Sequence, residues 1–512
     1  MRPSKTSRLI LLTALALAVA GCATSALDMA PDRPDAPWKP PTDATGAIKP
    51  GPEASTAGAG GGYVLPPNRA LAVIPPAPAV NPHRAYALPD LIDIAESHNP
   101  DTRIAWDEAR KAALAAGIAE SSYLPDITAS AVGAYQDGHG NNSALGLDTS
   151  GNSNAHGVIS AISLRWLMFD FGERSATIEA AKQVSAISNI VFTQAHQRVI
   201  YNVSLAFYAD TAARARARSA AQSLKNAKAV QASAEARYGQ GVGTVVEVAQ
   251  AAQATAQAKL ALVQATGGVD DAYLSLLTAM GISPMVRMTI ADVAPRHLSP
   301  ALDAPVQAIV AEALARRPDM LSAYAAQQAS LANVRAAQAE FMPKVFLSAT
   351  GAYNSGGLSV TSLPAIGQLA PTGNISGSQF NGTILAGLTV PLYDGGSRAA
   401  ILGQAEASAD SADAALAKAR DETVRQVVGA ENALRTSLAA YSASKALATA
   451  AQTSYDAAFA AYQKGVGSVT DATTAETQLL QAQNAATDSY SAVLSAAATL
   501  AFTTGGLGAA PP

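Results

Sequence analysis

The stretch Tyr123-Leu-Pro-Asp-Ile-Thr-Ala-Ser-Ala-Val-Gly-Ala-Tyr135 returns later in the chain as Phe341-Met-Pro-Lys-Val-Phe-Leu-Ser-Ala-Thr-Gly-Ala-Tyr353. The offset between the two copies is 218 residues (343 − 125). After the proline, side chains in each copy alternate in character with the period of a β-strand. A long period that occurs only twice is not typical of a solenoid array. The repetition predicts a protomer made of two similar halves.

Two further motifs occur in both halves. Asp170-Phe-Gly-Glu-Arg174 returns as Asp394-Gly-Gly-Ser-Arg398, and Tyr238-Gly-Gln-Gly-Val-Gly243 returns as Tyr462-Gln-Lys-Gly-Val-Gly467. Here the offset is 224 residues (462 − 238). The change in offset falls between residues 135 and 170, in a stretch rich in Gly, Asn and Ser. We interpret that stretch as a loop.

Long segments of the chain lack proline, the residue that most strongly interrupts helices. None occurs between Pro125 and Pro284, or between Pro391 and Pro511. Residues 173–237 also lack glycine. They permit one helix of about 65 residues, roughly 100 Å long. Such a helix is too long for a compact domain of this size.

Shorter helices are expected beside each long one. Residues 89–123 and 244–280 predict helices that, stacked end to end, match the first long helix in length. The second half permits helices near 306–340, 397–463 and 468–502. Each half therefore predicts a long antiparallel helix pair that turns at a glycine cluster. A solid four-helix bundle or a coiled coil is the alternative interpretation of this periodicity.

Each half also contains two strand candidates of a length that crosses a bilayer when tilted. The predicted strands cover residues 127–136, 157–167, 345–354 and 383–392, with a turn-rich loop inside each pair. Four strands cannot close a barrel, and open sheet edges are not viable in lipid. Strands from three chains would close a twelve-stranded barrel. Two small soluble hairpins are the alternative.

The chain begins with the features of a bacterial secretion signal. Arg2, Lys5 and Arg8 precede an apolar stretch at residues 9–20, which is too short to span a bilayer. The following Val-Ala-Gly-Cys22 resembles a lipobox, at which the chain is cut and the cysteine acylated. We predict a signal peptide over residues 1–21 and a diacylglycerol and an acyl chain on Cys22. An ordinary cleaved signal is the alternative.

Composition excludes several classes of function. The formal charge is −4, so the chain lacks the basic surface of a nucleic-acid-binding protein. Its six histidines show no metal-binding spacing, and its single cysteine cannot form an internal disulfide. We find no nucleophile elbow or other catalytic motif. We therefore expect neither an enzyme nor a metal or other cofactor. Residues 22–87 are rich in Pro and Gly, as in a linker.

The ordered, duplicated motifs resemble those of the TolC family of outer-membrane efflux proteins, in its lipoprotein branch (NodT/OprM-like). The matching elements are Asn99-Pro-Asp101 and Arg317-Pro-Asp319, Pro125 and Pro343, Asp170-Phe-Gly172 and Asp394-Gly-Gly396, and the glycine turns at 237–243 and 461–467. The resemblance covers residues 88–502. It identifies two repeats, 88–282 and 306–503, which are joined by an equatorial segment at 283–305 and followed by a tail at 504–512.

The resemblance implies a mainly α-helical homotrimer with a β membrane part. Each repeat would run helix, strand, strand, long helix, helix. The β-barrel would cross the outer membrane and contact its lipid, and an α-helical barrel would continue through the periplasm. The helical tips at residues 238–246 and 462–471 would meet a periplasmic adaptor (a membrane fusion protein). They would also meet an inner-membrane pump of the resistance-nodulation-division type.

The resemblance also implies site residues at those tips. Asp471 stands where the family has a gating aspartate, and Glu247 is its counterpart in the first repeat (471 − 224). The family often has another acid three residues later, where this chain has Thr474. An ordinary acid that stabilises a helix N-terminus is the alternative for both residues. The adaptor-contact candidates are Tyr238, Gly241, Gly243, Tyr462, Gly465, Gly467 and Ser468.

The resemblance thus implies the exit duct of a tripartite efflux system, a passive conduit that its partners open. The alternative function is a lipid-anchored periplasmic adaptor that carries helical hairpins and has no channel.

Overall fold

A computed structural model describes residues 30, 34, 41–49, 64–74, 78–144, 147–293, 305–360 and 373–508. The side chains of 136–156 and 356–376 are not part of that description. Cys22 and the predicted signal peptide lie outside the described residues. The chain divides into two compact units, Met1–Ala77 and Pro78–Pro512.

The first unit contains a tight turn closed by its own backbone. Thr42 and Ile48 form an antiparallel bridge. Between them, the Asp43 carboxylate accepts from the backbone N–H groups of Thr45 and Ala47 at 2.8 and 3.0 Å. Gly46 adopts a left-handed φ of 87° at the apex, which favours glycine. This part of the predicted linker is therefore ordered locally.

Eight helices account for most of the described part of the second unit. In chain order they are α1 Leu88–His98, α2 Pro100–Ser121, α3 Glu173–Gly239, α4 Val245–Met280, α5 Val306–Arg316, α6 Pro318–Ala339, α7 Ser397–Gln463 and α8 Val469–Thr503. The two halves agree closely in helix length: 11 and 11, 22 and 22, 67 and 67, then 36 and 35 residues.

The prediction of one continuous helix before each strand pair was wrong. Asn99 separates α1 from α2, and Arg317 separates α5 from α6. Both residues are extended, with ψ of 126° and 133°. Each precedes a proline, and the proline ring disfavours helical geometry in the residue before it. Each break therefore ends the shorter helix before the longer one begins.

Both long helices start with the repeated Asp-x-Gly-x-Arg motif. Gly172 and Gly396 adopt left-handed φ of 98° and 92°, which turns the chain from strand into helix. The Asp170 carboxylate accepts from the backbone N–H of Arg174 at 3.1 Å and from its guanidinium at 2.6 Å. Asp394 holds its own arginine in the same way. The motif is therefore an N-terminal cap for a long helix.

The helices pack as a layer of long antiparallel pairs. α3 packs on α2 and α4 of its own repeat, and also on α6 and α8 of the second repeat. α7 packs on α5, α6 and α8 of its own repeat. Where α1, α3 and α4 meet the segment after α4, a cluster of buried apolar side chains forms. It includes Leu91, Val203, Phe207, Leu276, Leu277, Met280 and Ile290.

A two-stranded parallel sheet holds the ends of the first repeat together. β1, Ala85–Tyr86, pairs with β4, Thr289–Ile290. These strands fall in the predicted linker and in the predicted equatorial segment, and the sequence did not indicate them because two residues are too few for a periodic signal. Within the described residues, no helix combines the length and apolar character needed to cross a membrane.

The other strands form a four-stranded antiparallel sheet in the order β2-β3-β5-β6. They are β2 Asp126–Ala144, β3 Leu147–Phe169, β5 Lys344–Val360 and β6 Gly373–Thr389. All four are longer than predicted. The β2–β3 pairing continues to Ala144↔Leu147, through most of the stretch predicted to be a loop. Backbone pairing tolerates Gly, Asn and Ser, so turn-like composition gave the wrong interpretation there.

The register separates the side chains of this sheet into an apolar and a mixed face. One face carries Ile127, Val158, Ile162, Leu164, Trp166, Leu347, Tyr353, Phe380, Ile384 and Leu388. The opposite face includes a pair of serine and threonine hydroxyls, Thr128 and Ser163, 2.7 Å apart. It also includes an ion pair between Arg165 and Asp126 at 3.0 Å. Ile162 and Ile384 are 61% and 77% exposed in the single chain.

Candidate functional site at the helical tips

The first tip, residues 238–246, joins α3 to α4 through a glycine turn. The carbonyl of Arg237 accepts from the N–H groups of Val242 and Gly243 at 3.0 and 3.1 Å. Gly241 adopts a left-handed φ of 76°. A Cβ on Gly243 would lie 2.8 Å from the backbone nitrogen of Tyr238. The turn therefore needs glycine at both positions.

The second tip, residues 462–471, repeats this geometry. The Ala461 carbonyl accepts from the N–H groups of Val466 and Gly467 at 3.0 and 3.1 Å. Gly465 has a φ of 81°. A Cβ on Gly467 would lie 3.0 Å from the Ala461 Cβ and 3.2 Å from the Tyr462 nitrogen. The shared sequence of the two turns thus specifies one backbone shape.

Asp471 takes part in the start of α8. Its backbone N–H donates to the Ser468 hydroxyl at 3.1 Å, and its carboxylate accepts from that hydroxyl at 2.7 Å. The carboxylate also accepts from the Ser468 N–H at 3.3 Å. This reciprocal arrangement is a capping box. Ser468 and Asp471 are therefore structural parts of the second tip, whatever further role the acid has.

Glu247 instead faces the other hairpin. The phenol of Tyr462 donates to its carboxylate at 3.5 Å. Tyr462 is only 1% exposed and packs among Val230, Ala234, Ala251, Val469 and Ala472. Burial raises the pKa of the Tyr462 phenol, and the nearby Glu247 carboxylate adds to that rise. The phenol therefore stays protonated and able to donate.

Arg237 completes this contact, and the sequence did not single it out. Its guanidinium lies 5.3 Å from the centre of the Tyr462 ring. It also donates to the Tyr462 carbonyl at 3.3 Å and to the Val242 carbonyl at 3.5 Å. Arg237 therefore links the two tips. The only available signal was that its counterpart in the second repeat is Ala461.

The two equivalent tyrosines occupy opposite environments. Tyr462 is buried between the hairpins, whereas Tyr238 is 51% exposed. Other apolar side chains are also exposed at the tips, namely Val242, Val245, Val246 and Val466. Val466 is 82% exposed. The tips thus combine a tightly held polar contact with an open apolar surface.

Among the described residues, no group of three or more His, Cys, Asp or Glu side chains could hold a metal ion. The tip acids Glu247 and Asp471 bind a phenol and a helix start.

The chain matches a family model described as "Outer membrane efflux protein" over residues 91–282 and 309–506. Protein CyaE of Bordetella pertussis is 27% identical over 399 residues, which cover 78% of this chain and 79% of CyaE. Outer membrane efflux protein BepC of Brucella suis is 27% identical over 367 residues, which cover 72% of this chain and 74% of BepC.

The fold is also found among solved structures. The Campylobacter jejuni CmeC outer membrane channel has a TM-score of 0.69 and 20% identity to this chain, covering 82% of this chain and 85% of CmeC. The four long strands, both tips and most of the eight helices fall within the matched segments of the family model. The chain belongs to the outer membrane efflux protein family.

Proposed function

We propose that this outer-membrane efflux protein works as a homotrimer, the exit duct of a tripartite efflux system. As a member of the outer membrane efflux protein family it is a channel component and not an enzyme. Efflux through the outer membrane requires an adaptor and an inner-membrane pump as partners. We propose a pump of the resistance-nodulation-division type.

The main support for this proposal is the four-stranded sheet, whose two edges are unpaired within the described chain. β2 and β6 are the edge strands of the four-stranded sheet, and each pairs with one neighbour only within the described chain. Unpaired edges are not viable in lipid. The face with Tyr353, Phe380 and Ile384 suits contact with acyl chains, and the mixed face suits a water-filled lumen. Twelve strands from three copies would satisfy both requirements.

The tips support the rest of the proposal. Four exposed valines form an apolar surface at the tips, at the end of the long helices opposite to the sheet. They are Val242, Val245, Val246 and Val466. Such a surface fits a protein partner, and we propose the periplasmic adaptor. Glu247 and Asp471 are our candidates for acids that influence ion passage at this end. Attachment of lipid to Cys22, after removal of residues 1–21, would anchor the chain to the outer membrane.

A photo-crosslinker at Val466 tests the proposal in living cells. Val466 is exposed and outside the capping box, so the substitution leaves the turn intact. We expect capture of a periplasmic adaptor. Leu114, 68% exposed on α2, is the matched control and should not capture it. Equal capture at both sites would refute adaptor binding at the tips. A monomer in mild detergent would refute the trimeric duct and favour a lipid-anchored helical protein.

A further inference from the structure

The second unit has two helix junctions, one in each repeat. At the first junction, the break at Asn99 packs against the end of α4, and the Asn99 amide donates to the Ala279 carbonyl at 3.2 Å. At the second junction, the break at Arg317 packs against the end of α8, and Arg317 donates to the Thr503 carbonyl at 3.0 Å. The junctions are equivalent in the repeat.

The second junction is covered by a side chain from α3. Tyr201 hydrogen-bonds the Thr499 hydroxyl at 3.0 Å, and its ring stacks on Phe502 with centres 4.6 Å apart. One turn earlier, Gln197 donates to the Gly505 carbonyl at 3.4 Å. The face of α3 formed by Gln197, Ile200 and Tyr201 therefore fills the second junction.

The first junction is open. A groove of about 920 Å³ lies between α3, the start of α2 and the end of α4. Ser275 and Thr278 line it, and they are the counterparts of Thr499 and Phe502 (499 − 224, 502 − 224). The positions that Tyr201 covers at the second junction are thus uncovered at the first.

The groove also contains two charged side chains that form no ion pair with the residues that the structure describes. At the second junction Arg317 binds Asp319 through two hydrogen bonds, at 2.9 and 2.5 Å. At the first junction, Asn99 stands in place of Arg317, so Asp101 loses that partner. Neither Asp101 nor Arg198, which both line the groove, forms an ion pair with any residue in the described part of the chain. A partner surface with one basic and one acidic side chain would complement Asp101 and Arg198.

α7 carries such a surface. The counterparts of Gln197, Ile200 and Tyr201 on α7 are Asp421, Val424 and Arg425, each 224 residues later. All three are exposed, Val424 by 36%, and the Arg425 side chain by 72%. Within the chain, Arg425 pairs only with the neighbouring Glu422 among the described residues, at 2.9 Å, and this surface pair leaves its guanidinium accessible. Asp421 and Arg425 lie four residues apart, on one face of the helix. This α7 face is the second-repeat counterpart of the α3 face that fills the second junction.

We infer that the Asp421–Val424–Arg425 face of one copy fills the groove at the first junction of the next copy. Arg425 then lies near Asp101, Ser275 and Thr278, and Asp421 lies near Arg198. The inference rests on the proposed homotrimer and names the surfaces that join its copies. Each copy offers one such face and one such groove, and head-to-tail contacts of this kind form a ring when the rotation between copies closes, as the proposed trimer requires.

Crosslinking the full-length protein in isolated outer membranes tests the inference. Ser275→Cys combined with Arg425→Cys, treated with a short bis-maleimide, should convert most of the monomer band into dimers and trimers on a denaturing gel. The matched control is Tyr201→Cys with Thr499→Cys, which should link within one chain and leave the monomer band in place. Each single variant should give no ladder, which also excludes linkage through Cys22. Thr278→Cys with Val424→Cys is a second pair that leaves both charges intact.

A charge exchange tests the contact without crosslinking. Asp101→Arg and Arg425→Asp should each lower the temperature at which the trimer dissociates, and together they should restore it. A protein that is trimeric by mass, but gives no ladder with either cysteine pair and no restoration, would overturn the inference and leave the proposed duct standing. A monomer in mild detergent would instead overturn the proposed function.

Discussion

The guanidinium of Arg237, in the last turn of the first long helix, lies 5.3 Å from the ring centre of Tyr462, at the end of the second. The same ring is buried, and its hydroxyl donates to Glu247. Three residues from two repeats thus form one contact at the tips. Any separation of the hairpins has to break it, so we expect it to oppose widening of the tip.

Replacing Arg237 by Gln should make the tip open more readily. The substitution removes a cation–π contact and two hydrogen bonds to carbonyl groups, a loss of about 1–2 kcal/mol. Open states in planar-bilayer conductance should become roughly tenfold more frequent. Arg335→Gln, an exposed arginine on α6, is the control and should change nothing. Unchanged conductance in the Arg237 variant would show that this contact does not restrict the tip.

Replacing Glu247 by Gln tests the effect of its negative charge separately from its contact with Tyr462. Glutamine can still accept from the Tyr462 hydroxyl, so the contact should survive while the negative charge is lost. We expect a weaker preference for cations, measured as the reversal potential in a salt gradient. Asp471→Asn is the comparison, because that carboxylate already binds Ser468. We expect a smaller change from Asp471→Asn, and a larger one would show that Asp471, and not Glu247, is the acid that dominates ion preference at the tip.

Gly467→Ala should distort the second tip. The added Cβ would lie 3.0 Å from the Ala461 Cβ, within a turn whose backbone is fixed by two hydrogen bonds. We expect a cost of about 1–3 kcal/mol in the free energy of unfolding and loss of adaptor crosslinking at Val466. Gly403→Ala, in the interior of α7, meets no atom within 4 Å. It should stabilise by about 0.5–1 kcal/mol, and an equal loss in both variants would contradict the steric argument.

The long helices and the turns between them depend on local residue spacing, and they could be predicted from the sequence. The glycine-free run before Arg237 indicated the long helix α3, and the glycine turns marked both tips. The helix break at Asn99 was not predicted, because the apolar spacing continues across it, yet the adjacent proline disfavours helical geometry at that residue. Each predicted strand overlaps an observed one but omits the part nearest the hairpin loop, because those residues are turn-like in composition. The last predicted strand also ran three residues past the end of β6 at Thr389.

The tip contact could not be predicted from local pattern. Tyr238 and Tyr462 stand in equivalent motifs, yet one is exposed and the other buried. The difference arises because α3 packs on α8 within one chain, which brings Arg237 and Glu247 to Tyr462. Contacts between repeats depend on how the halves pack, and equal motifs carry no information on which copy becomes covered.

The buried carboxylate of Glu476 should lower the free energy of unfolding at neutral pH. It is 6% exposed, and one of its carboxylate oxygens has no hydrogen-bond partner among the described residues. Burial raises the pKa of this carboxyl, and the neighbouring Ser223 hydroxyl offsets only part of that rise. A raised pKa in the folded state means that stability is highest at low pH and is lost as pH rises through the folded value.

Glu476→Gln should therefore stabilise the protein at pH 7, by on the order of 1 kcal/mol for each unit of pKa shift that it removes. The gain should disappear towards pH 4, where the native carboxyl is already protonated. Thermal unfolding at both pH values measures this, with the exposed Glu406→Gln as control. A gain that is equal at both pH values would mean that the charge of Glu476 is not the cause.

Arg317→Ala should lower the stability of the protein, and the loss should be larger at neutral pH than at low pH. This pH dependence is opposite to the one expected for Glu476. Burial favours the protonated form of Asp319, but hydrogen bonds and charge from Arg317 outweigh it and lower the pKa of the carboxyl. With a lowered folded pKa, the stabilisation is present above the unfolded value and is lost as pH falls through the folded one. At pH 7 the variant should lose about 1–3 kcal/mol, since Asp319 is partly exposed and the pair is partly screened.

The adjacent Arg316→Ala is a matched control for that variant. Arg316 pairs with Glu312 at 2.6 Å, but both side chains are more than half exposed, so its loss should cost less than about 0.5 kcal/mol. Denaturant unfolding from pH 7 to pH 3 should show the gap between Arg317→Ala and the native protein narrowing as Asp319 takes up its proton. A residual gap at pH 3 is expected, because Arg317 also donates to the Thr503 carbonyl and to Gln426. A gap that does not change with pH would show that the ion pair contributes nothing and that only these neutral contacts hold the junction.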